Sequence, residues 1–532
     1  MRGGSRPLNV DQLATGTMTE DGPEGSPEPA AAILRADTLA DSVLILLVMT
    51  IVQRLVGLMR GMLFCRWLEP EQLGQWDVAF GFLTLAAPLA VFGLPGSFGR
   101  YAEYYRQRGQ LRTFLRRTTM TSVLLVLIAI GLIVAGRNWF SSLIFGAPDQ
   151  GPLVGWVAVS MAALVMNNFL VSLFLSVRLY RVVTGLQFFQ SLLFALVSVA
   201  LLATWRTDAT TIVMAFGLSC LLGCGGSLRW LRQIWHDASD QQPPIAQTTF
   251  WSKLVPFAIW MWVTNLISNL FEVMDRYMIV HHAGLDAVDA MREVGYYHSS
   301  RIIPLLLVGV AMLLGAIITP HLSHDWEAGR RGAVSARLNL VLKSLACAFL
   351  GGSVAVLVVA PYLFEIAFHS KFAGGLAVLP WTLTYCIWSG MNGVAQNYLW
   401  CAEKARLGCL ALLVGLCISV GLNLVLLPRF GLHGAVWSTS AANFVALGMV
   451  YGMNYWSGMR IDRGTLLVSL LPLALVMGPL VGSVALAVVS VIAVATNFIF
   501  NRDEKQQLLG AAQGYLSKLE RFRWRFLKLR FR

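Results

Sequence analysis

The sequence predicts an all-α polytopic membrane protein of about 14 transmembrane helices, and three observations carry that prediction. Apolar residues make up 56% of the chain and charged residues only 13%, with a mean hydropathy of +0.64, a composition foreign to soluble domains. Apolar runs of roughly 20 residues, the length that spans a bilayer as a helix, recur along nearly the whole chain. The connections between these runs alternate between basic and nearly free of Lys and Arg, as loops on the two faces of a membrane do.

With Pro, Gly and charged clusters as punctuation, the first six spans fall at 39–64, 74–96, 118–136, 152–177, 183–205 and 209–228. The next six fall at 254–283, 296–320, 338–360, 376–401, 407–428 and 432–456. A final block from Thr465 to Phe500 is too long for one helix, and Gly478, Pro479, Gly482 and Ser483 offer a break, so it reads as two spans. An even number of spans puts both termini on one side. Most of the 41 Lys and Arg then collect in connections on that side, and Arg66, Arg137, Arg206, Arg292, Lys371 and Arg429 fall opposite. The basic side is expected to be cytoplasmic, with both termini there.

The domain layout expected is a disordered cytoplasmic segment at 1–38, an N-lobe at 39–230, a cytoplasmic linker at 231–253, a C-lobe at 254–456, an extra helical pair at 464–500 and a basic tail at 501–532. Glu20, Asp21, Glu24 and Glu28 stand among Gly, Pro and Ser in the first segment, which lacks the basic and apolar regions of a cleaved signal peptide. From Arg521 the tail interleaves basic residues with Phe522, Trp524, Phe526 and Phe531, a pattern suited to an anionic lipid surface. The net charge of +13 is therefore a topological signal and does not call for nucleic acid.

The eight cysteines form no CxxC pair and have no His at ligand spacing, so they read as structural thiols. His321, His324 and Asp325 cluster at a helix end and read as solvated; no metal and no cofactor is assigned. A phosphate-cradling GxxxxGK[ST] loop is missing, so the chain is not expected to hydrolyse nucleotide. No connection exceeds roughly 25 residues, too few for an ordinary extramembrane catalytic domain. These observations argue against an enzyme.

Asn265, Ser268, Asn269, Glu272, Asp275 and Arg276 fall within an arc of about 120° on the seventh span. Ionisable groups at bilayer depth are costly and normally face a bundle interior or a watery cavity, marking a path for something polar. Four cations lie within spans: Arg54, Arg60, Arg276 and Arg301. The first span leads through an outer connection into Gly74-Gln75-Trp76, and the seventh leads into Val294-Gly295-Tyr296-Tyr297. This Gly-aromatic repeat points to two pseudo-symmetric six-helix lobes followed by the extra pair.

At these residues the chain resembles the polysaccharide transporters of the multidrug/oligosaccharidyl-lipid/polysaccharide (MOP) exporter superfamily, over about residues 39–500. The resemblance rests on Arg60-Gly61 followed by Leu68-Glu69-Pro70-Glu71-Gln72-Leu73-Gly74, on Gly96-Ser97 with Arg100-Tyr101, on Asp275-Arg276, on Val294-Gly295-Tyr296-Tyr297, and on Pro428-Arg429-Phe430-Gly431-Leu432-His433-Gly434-Ala435. It implies two lobes around a central cavity that opens alternately to either side of a bacterial cytoplasmic (inner) membrane. It also implies flipping of isoprenoid-diphosphate-linked oligosaccharide, such as an O-antigen or polysaccharide repeat unit, with a polymerase or ligase as partner. Two C-terminal spans beyond the twelve-helix pattern leave a peptidoglycan-precursor flippase open. A cation-coupled multidrug exporter of the same superfamily and a membrane-embedded polymerase are the other readings.

A lipid-linked sugar needs polar walls, a positive region for diphosphate and a lateral gap for its tail. Guanidinium groups match phosphate oxygens in a bidentate way, so Arg54, Arg60, Arg276 and Arg301 are the candidate diphosphate ligands, with Asn265 and Asn269 for the saccharide. Against this, Arg54 and Arg60 sit about 120° apart on the helix, Arg301 could snorkel, and Arg276 could pair with Glu272. Glu272 and Asp275 are candidates for ion coupling, although Asp275 could simply neutralise the arginines. Asp77, near a span end, is another candidate, although simple solvation is the reading its position favours. Asn167, Asn168, Gln187, Gln190, Asn392, Gln396 and Asn397 read as interhelical hydrogen-bonding groups, and Trp76, Tyr277 and Trp437 as interface anchors.

Overall fold

The computed structural model describes residues 39–237, 246–510 and 513, with side chains from Val48 onward. The acidic N-terminal segment, the middle of the expected linker and the basic tail beyond residue 510, apart from residue 513, lie outside these residues. Helix follows helix: α1 (Leu39–Trp67), α2 (Pro70–Ala90), a 3-10 turn (Leu94–Ser97), α3 (Phe98–Gln107), α4 (Leu111–Ala135), α5 (Arg137–Phe145), α6 (Gly151–Ser176), α7 (Tyr180–Thr204) and α8 (Ala209–Asp237). After the linker come α9 (Gln247–His282), α10 (Ala287–Arg301), α11 (Pro304–Glu327), α12 (Arg331–Ile366), α13 (Ala373–Ala395), α14 (Asn397–Cys401), α15 (Ala405–Phe430) and α16 (Leu432–Trp456). The chain closes with α17 (Arg463–Leu470), α18 (Leu473–Val476) and α19 (Pro479–Ala495).

Each predicted span falls on helix. Among the described residues nine helices have the length and apolar composition to cross a membrane, or ten if α2 and the segment Leu94–Gln107, bent by 61°, form one span. The protein is a multi-pass integral membrane protein, and apolar residues cover its outer surface as well as its core. Leu127, Val484 and Val494 are exposed, whereas Thr382 and Asn392 of α13 and Thr439 and Asn443 of α16 are buried. In lipid the apolar groups need no cover and the polar ones need partners.

Three boundaries differ from the sequence-based ones. The 231–253 linker is helical at both ends, because α8 runs to Asp237 and α9 begins at Gln247. The span predicted at 296–320 is divided between α10 and α11 just before Pro304, whose ring cannot donate a backbone hydrogen bond. The final pair breaks where expected, at Gly478 with φ +101°, and Pro479 opens α19. Its first member is interrupted at Leu471 and Pro472, and the carbonyl of Pro472 accepts a 2.9 Å bond from Thr384.

α2 and α10 approach backbone to backbone. A Cβ on Gly74 would collide with the carbonyl of Met291, and a Cβ on Gly295 with the carbonyl of Pro70. The two glycines of the Gly-aromatic repeat therefore pack into each other's helix. Nearby, Lys371 Nζ lies 2.8 Å from Glu69 Oε1 across the same face.

Lys343 is a further cation inside a helix of spanning length, fully buried in α12. It meets Asp462 Oδ2 at 3.0 Å and Glu504 Oε1 at 2.7 Å, tying the start of α17 and helical residues 502–510 to one point. Replacing Lys343 by Met leaves the buried Glu504 carboxylate without its cation, so Lys343→Met is expected to destabilise this end by about 2–3 kcal/mol. Limited proteolysis would show it as faster loss of the segment after Phe500; an unchanged rate would mean the triad does not anchor the tail.

Candidate functional site

Charge is concentrated where α2, α9 and α10 meet. Arg276 Nε donates to Asp77 Oδ2 at 2.7 Å, and His298 Nδ1 lies 2.8 Å from Asp77 Oδ1. Asp77 is buried and bonded, not solvated, and Arg276 pairs with it instead of with Glu272, which is exposed. Arg301 is buried too and does not snorkel; its guanidinium lies 5.0 Å from the ring of Tyr297, with Nε and Nη1 lacking a hydrogen-bond partner. It stands within electrostatic reach of Asp77 and Glu272.

Asp275, one residue before Arg276, points the other way. Oδ2 accepts from Tyr297 Oη at 2.9 Å and from Thr439 Oγ1 at 2.6 Å, and Oδ1 from Asn423 Nδ2 at 3.2 Å and Ser419 Oγ at 3.3 Å. Every one of these donors is neutral. Asp275 therefore does not neutralise the arginines; its buried carboxylate is held by hydroxyl and amide dipoles from α10, α15 and α16. Tyr297 Oη reaches on to Tyr385 Oη at 3.3 Å.

The predicted ligands divide among three places. Arg54 and Arg60 line one cavity of about 400 Å³, walled by α1, α2, α7, α8, α10 and α11. Arg60 stacks 4.1 Å above the ring of Phe194, within an aromatic cluster of Phe64, Trp76, Phe194 and Phe216. Trp76 is buried there and is not an interface anchor. Arg54, on the far flank of α1, lies against Gly309 of α11, where a Cβ would stand 3.3 Å from its Nε. Gln187 and Gln190 bring amides to the same cavity, and Gln190 also bonds Cys220 Sγ at 3.1 Å.

Asn265 and Asn269 line a second cavity of about 410 Å³ with Asn168, Thr84 and Trp262. Asn269 Nδ2 donates to Asn265 Oδ1 at 2.7 Å and to the Thr84 carbonyl at 3.3 Å. No ionisable side chain lines this cavity. Arg276 and Arg301 line neither one. The interhelical role expected of Asn167 and Asn397 is seen in bonds to Gln190 at 3.4 Å and from Thr319 at 2.5 Å.

His298 is the site residue that the sequence reading missed. It touches Asp77 and lines the Arg54/Arg60 cavity, so it joins the buried charges to the open space. The available signal was its place in the second Gly-aromatic turn, three residues before Arg301 on one helix face. Among the described residues no group of three or more His, Cys, Asp or Glu side chains is arranged to hold a metal ion.

Comparison with known proteins places this architecture. Among solved structures, the lipid II flippase MurJ in an inward closed conformation superposes with a TM-score of 0.61 at 13% identity, covering 84% of this chain and 98% of its own. An inward-facing multidrug resistance MATE family transporter of the MOP superfamily gives 0.60 at 13% identity, covering 78% of this chain and 98% of its own. A eukaryotic MATE transporter gives 0.52 at 12% identity, covering 81% and 96%. A search of curated proteins finds no match. The profile of the polysaccharide biosynthesis protein family matches residues 39–324, more than half of the chain. The chain belongs to the polysaccharide biosynthesis protein family, and its helices are arranged as in MurJ and the MATE transporters of the MOP superfamily.

Proposed function

We propose that the protein flips an isoprenoid-diphosphate-linked oligosaccharide across a bacterial cytoplasmic membrane by alternating access, with both termini on the cytoplasmic side. The observation that carries this reading is the cavity in which Arg54 and Arg60 stand with the Gln187 and Gln190 amides against aromatic walls. Two guanidinium groups facing one cavity attract a diphosphate, aromatic faces accept the apolar side of sugar rings, and amides bond hydroxyls. The amide-lined cavity at Asn265 and Asn269, free of charge, suits the saccharide. In this reading α1–α8 and α9–α16 move as two lobes, Arg276 and Arg301 meet the substrate only when α2 and α10 part, and Asp275 and Glu272 are the groups available to a coupling proton or cation.

Family membership supports a saccharide substrate over a cationic drug, and so does the sign of charge in the Arg54/Arg60 cavity. Losing one charge-assisted phosphate contact costs about 1.5–3 kcal/mol, so Arg60→Ala is expected to weaken substrate binding roughly 10- to 150-fold. Translocation of a fluorescent isoprenoid-diphosphate saccharide in proteoliposomes, with the fold checked by thermal melting, tests this. Transport of small cations under an ion gradient, with the saccharide panel unmoved, would replace the proposal by a multidrug exporter. Movement of peptidoglycan precursor alone would narrow it to that substrate.

A further inference from the structure

A space larger than either cavity lies on the flank of α4, α6 and α8. It is a groove of about 1180 Å³, and most of its lining is apolar. Its chemistry is ordered along the helices. On α4, Arg112 stands at one end, Thr119 and Ser122 follow, and Val126, Leu127 and Ile130 continue the lining. At 1.5 Å per residue the hydroxyls sit roughly 10–15 Å from the cation and the apolar stretch runs roughly 12 Å beyond Ser122. α8 runs antiparallel and repeats the order from its own end, with Arg232 at the same mouth and Leu228 and Leu221 deeper.

Two details point to an occupant. Arg112 holds its guanidinium 5.7 Å from the ring of Trp235 at the mouth, where a planar aromatic and a cation flank an anion site. Ser122 is buried at 4% exposure, lines the groove, and its Oγ has no hydrogen-bond partner. A buried hydroxyl left unbonded is costly, so an acceptor at that depth would stabilise the structure.

We propose that this groove binds an anionic glycerophospholipid, its phosphate between Arg112 and Arg232, its ester carbonyls at the level of Thr119 and Ser122, and an acyl chain along Leu127, Ile130 and Leu221. Cation, hydroxyl and hydrocarbon succeed one another in the groove in the order that phosphate, ester and acyl chain do in such a lipid. An isoprenoid diphosphate has no ester carbonyl and would leave Ser122 unsatisfied. The groove shares no lining residue with the Arg54/Arg60 cavity and meets the Asn265/Asn269 cavity only at Val165, so its two cations are distinct from the proposed diphosphate ligands and the site does not depend on that proposal.

The test is native mass spectrometry of the full-length protein released from nanodiscs of equal phosphatidylglycerol and phosphatidylcholine. The intact protein should retain one phosphatidylglycerol in preference to phosphatidylcholine. With each surface cation contributing about a fivefold gain in affinity for an anionic lipid, Arg112→Gln with Arg232→Gln should weaken that retention roughly 30-fold. Leu127→Trp, which fills the groove and keeps both cations, should also abolish it, and stands alone as the test if the double variant does not fold. Equal retention of the two lipids, retention by Leu127→Trp as in the intact protein, or displacement of phosphatidylglycerol by polyprenyl diphosphate would overturn the proposal.

Discussion

Asp77→Asn is expected to be the most damaging conservative substitution in the molecule, lowering stability by about 3–5 kcal/mol. The side chain keeps its size, but the buried Arg276 loses the carboxylate that bonds it at 2.7 Å, and His298 loses its partner at 2.8 Å. Arg301 is also buried within reach of this carboxylate. Asp77 thus serves two buried arginines, and losing it leaves both uncompensated. Removing Arg276 instead, as Arg276→Gln, leaves Asp77 with His298 and Arg301 nearby, so its cost should be smaller. The double variant should recover part of the loss, since neither side of the pair is then stranded. Melting of the four proteins in one detergent decides the matter. Equal losses for the two single variants would mean that Asp77 does not carry more than one cation.

Gly295→Val should cost about 3 kcal/mol or more and slow any exchange between conformations that needs α2 against α10. The obstacle is the carbonyl of Pro70, a backbone atom that no rotamer change can move aside. Gly448→Val is the matched control, because its Cβ would meet nothing within 4 Å. A Gly295→Val protein that melts with the control would show that the two backbones are not in contact in the membrane.

The sequence makes the helices legible because span length, proline breaks and glycine contacts are local. Gly478 and Pro479 announce the final break, and Gly74 and Gly295 announce themselves by the aromatic residue that follows each. The partners are another matter. Arg276 has Glu272 four residues away on its own helix, the choice that local rules favour, yet the carboxylate it meets lies 199 positions away. Asp275 is likewise satisfied by Tyr297, Ser419, Asn423 and Thr439 from three other helices. Nothing in a single sequence says which helices will be neighbours. Arg54 and Arg60 show the converse: 120° of separation argues for different surroundings, but the cavity wraps around α1, with Arg60 over Phe194 on one flank and Arg54 against Gly309 on the other.

The final helices set a thickness. α19 has 17 residues, which at 1.5 Å each reach roughly 25 Å, short of a hydrocarbon core of about 30 Å. For α19 to cross, the bilayer beside it would have to thin by several ångströms, or the helix would have to draw its flanking groups into the interface, at fractions of a kcal/mol per ångström. Lys505 stands at that end, donating to the Val494 and Thr496 carbonyls at 2.9 and 2.7 Å, a cation placed where headgroups dip. A crossing α19 would favour thin membrane on its own flank, and lipid with long acyl chains would be depleted there relative to the rest of the perimeter.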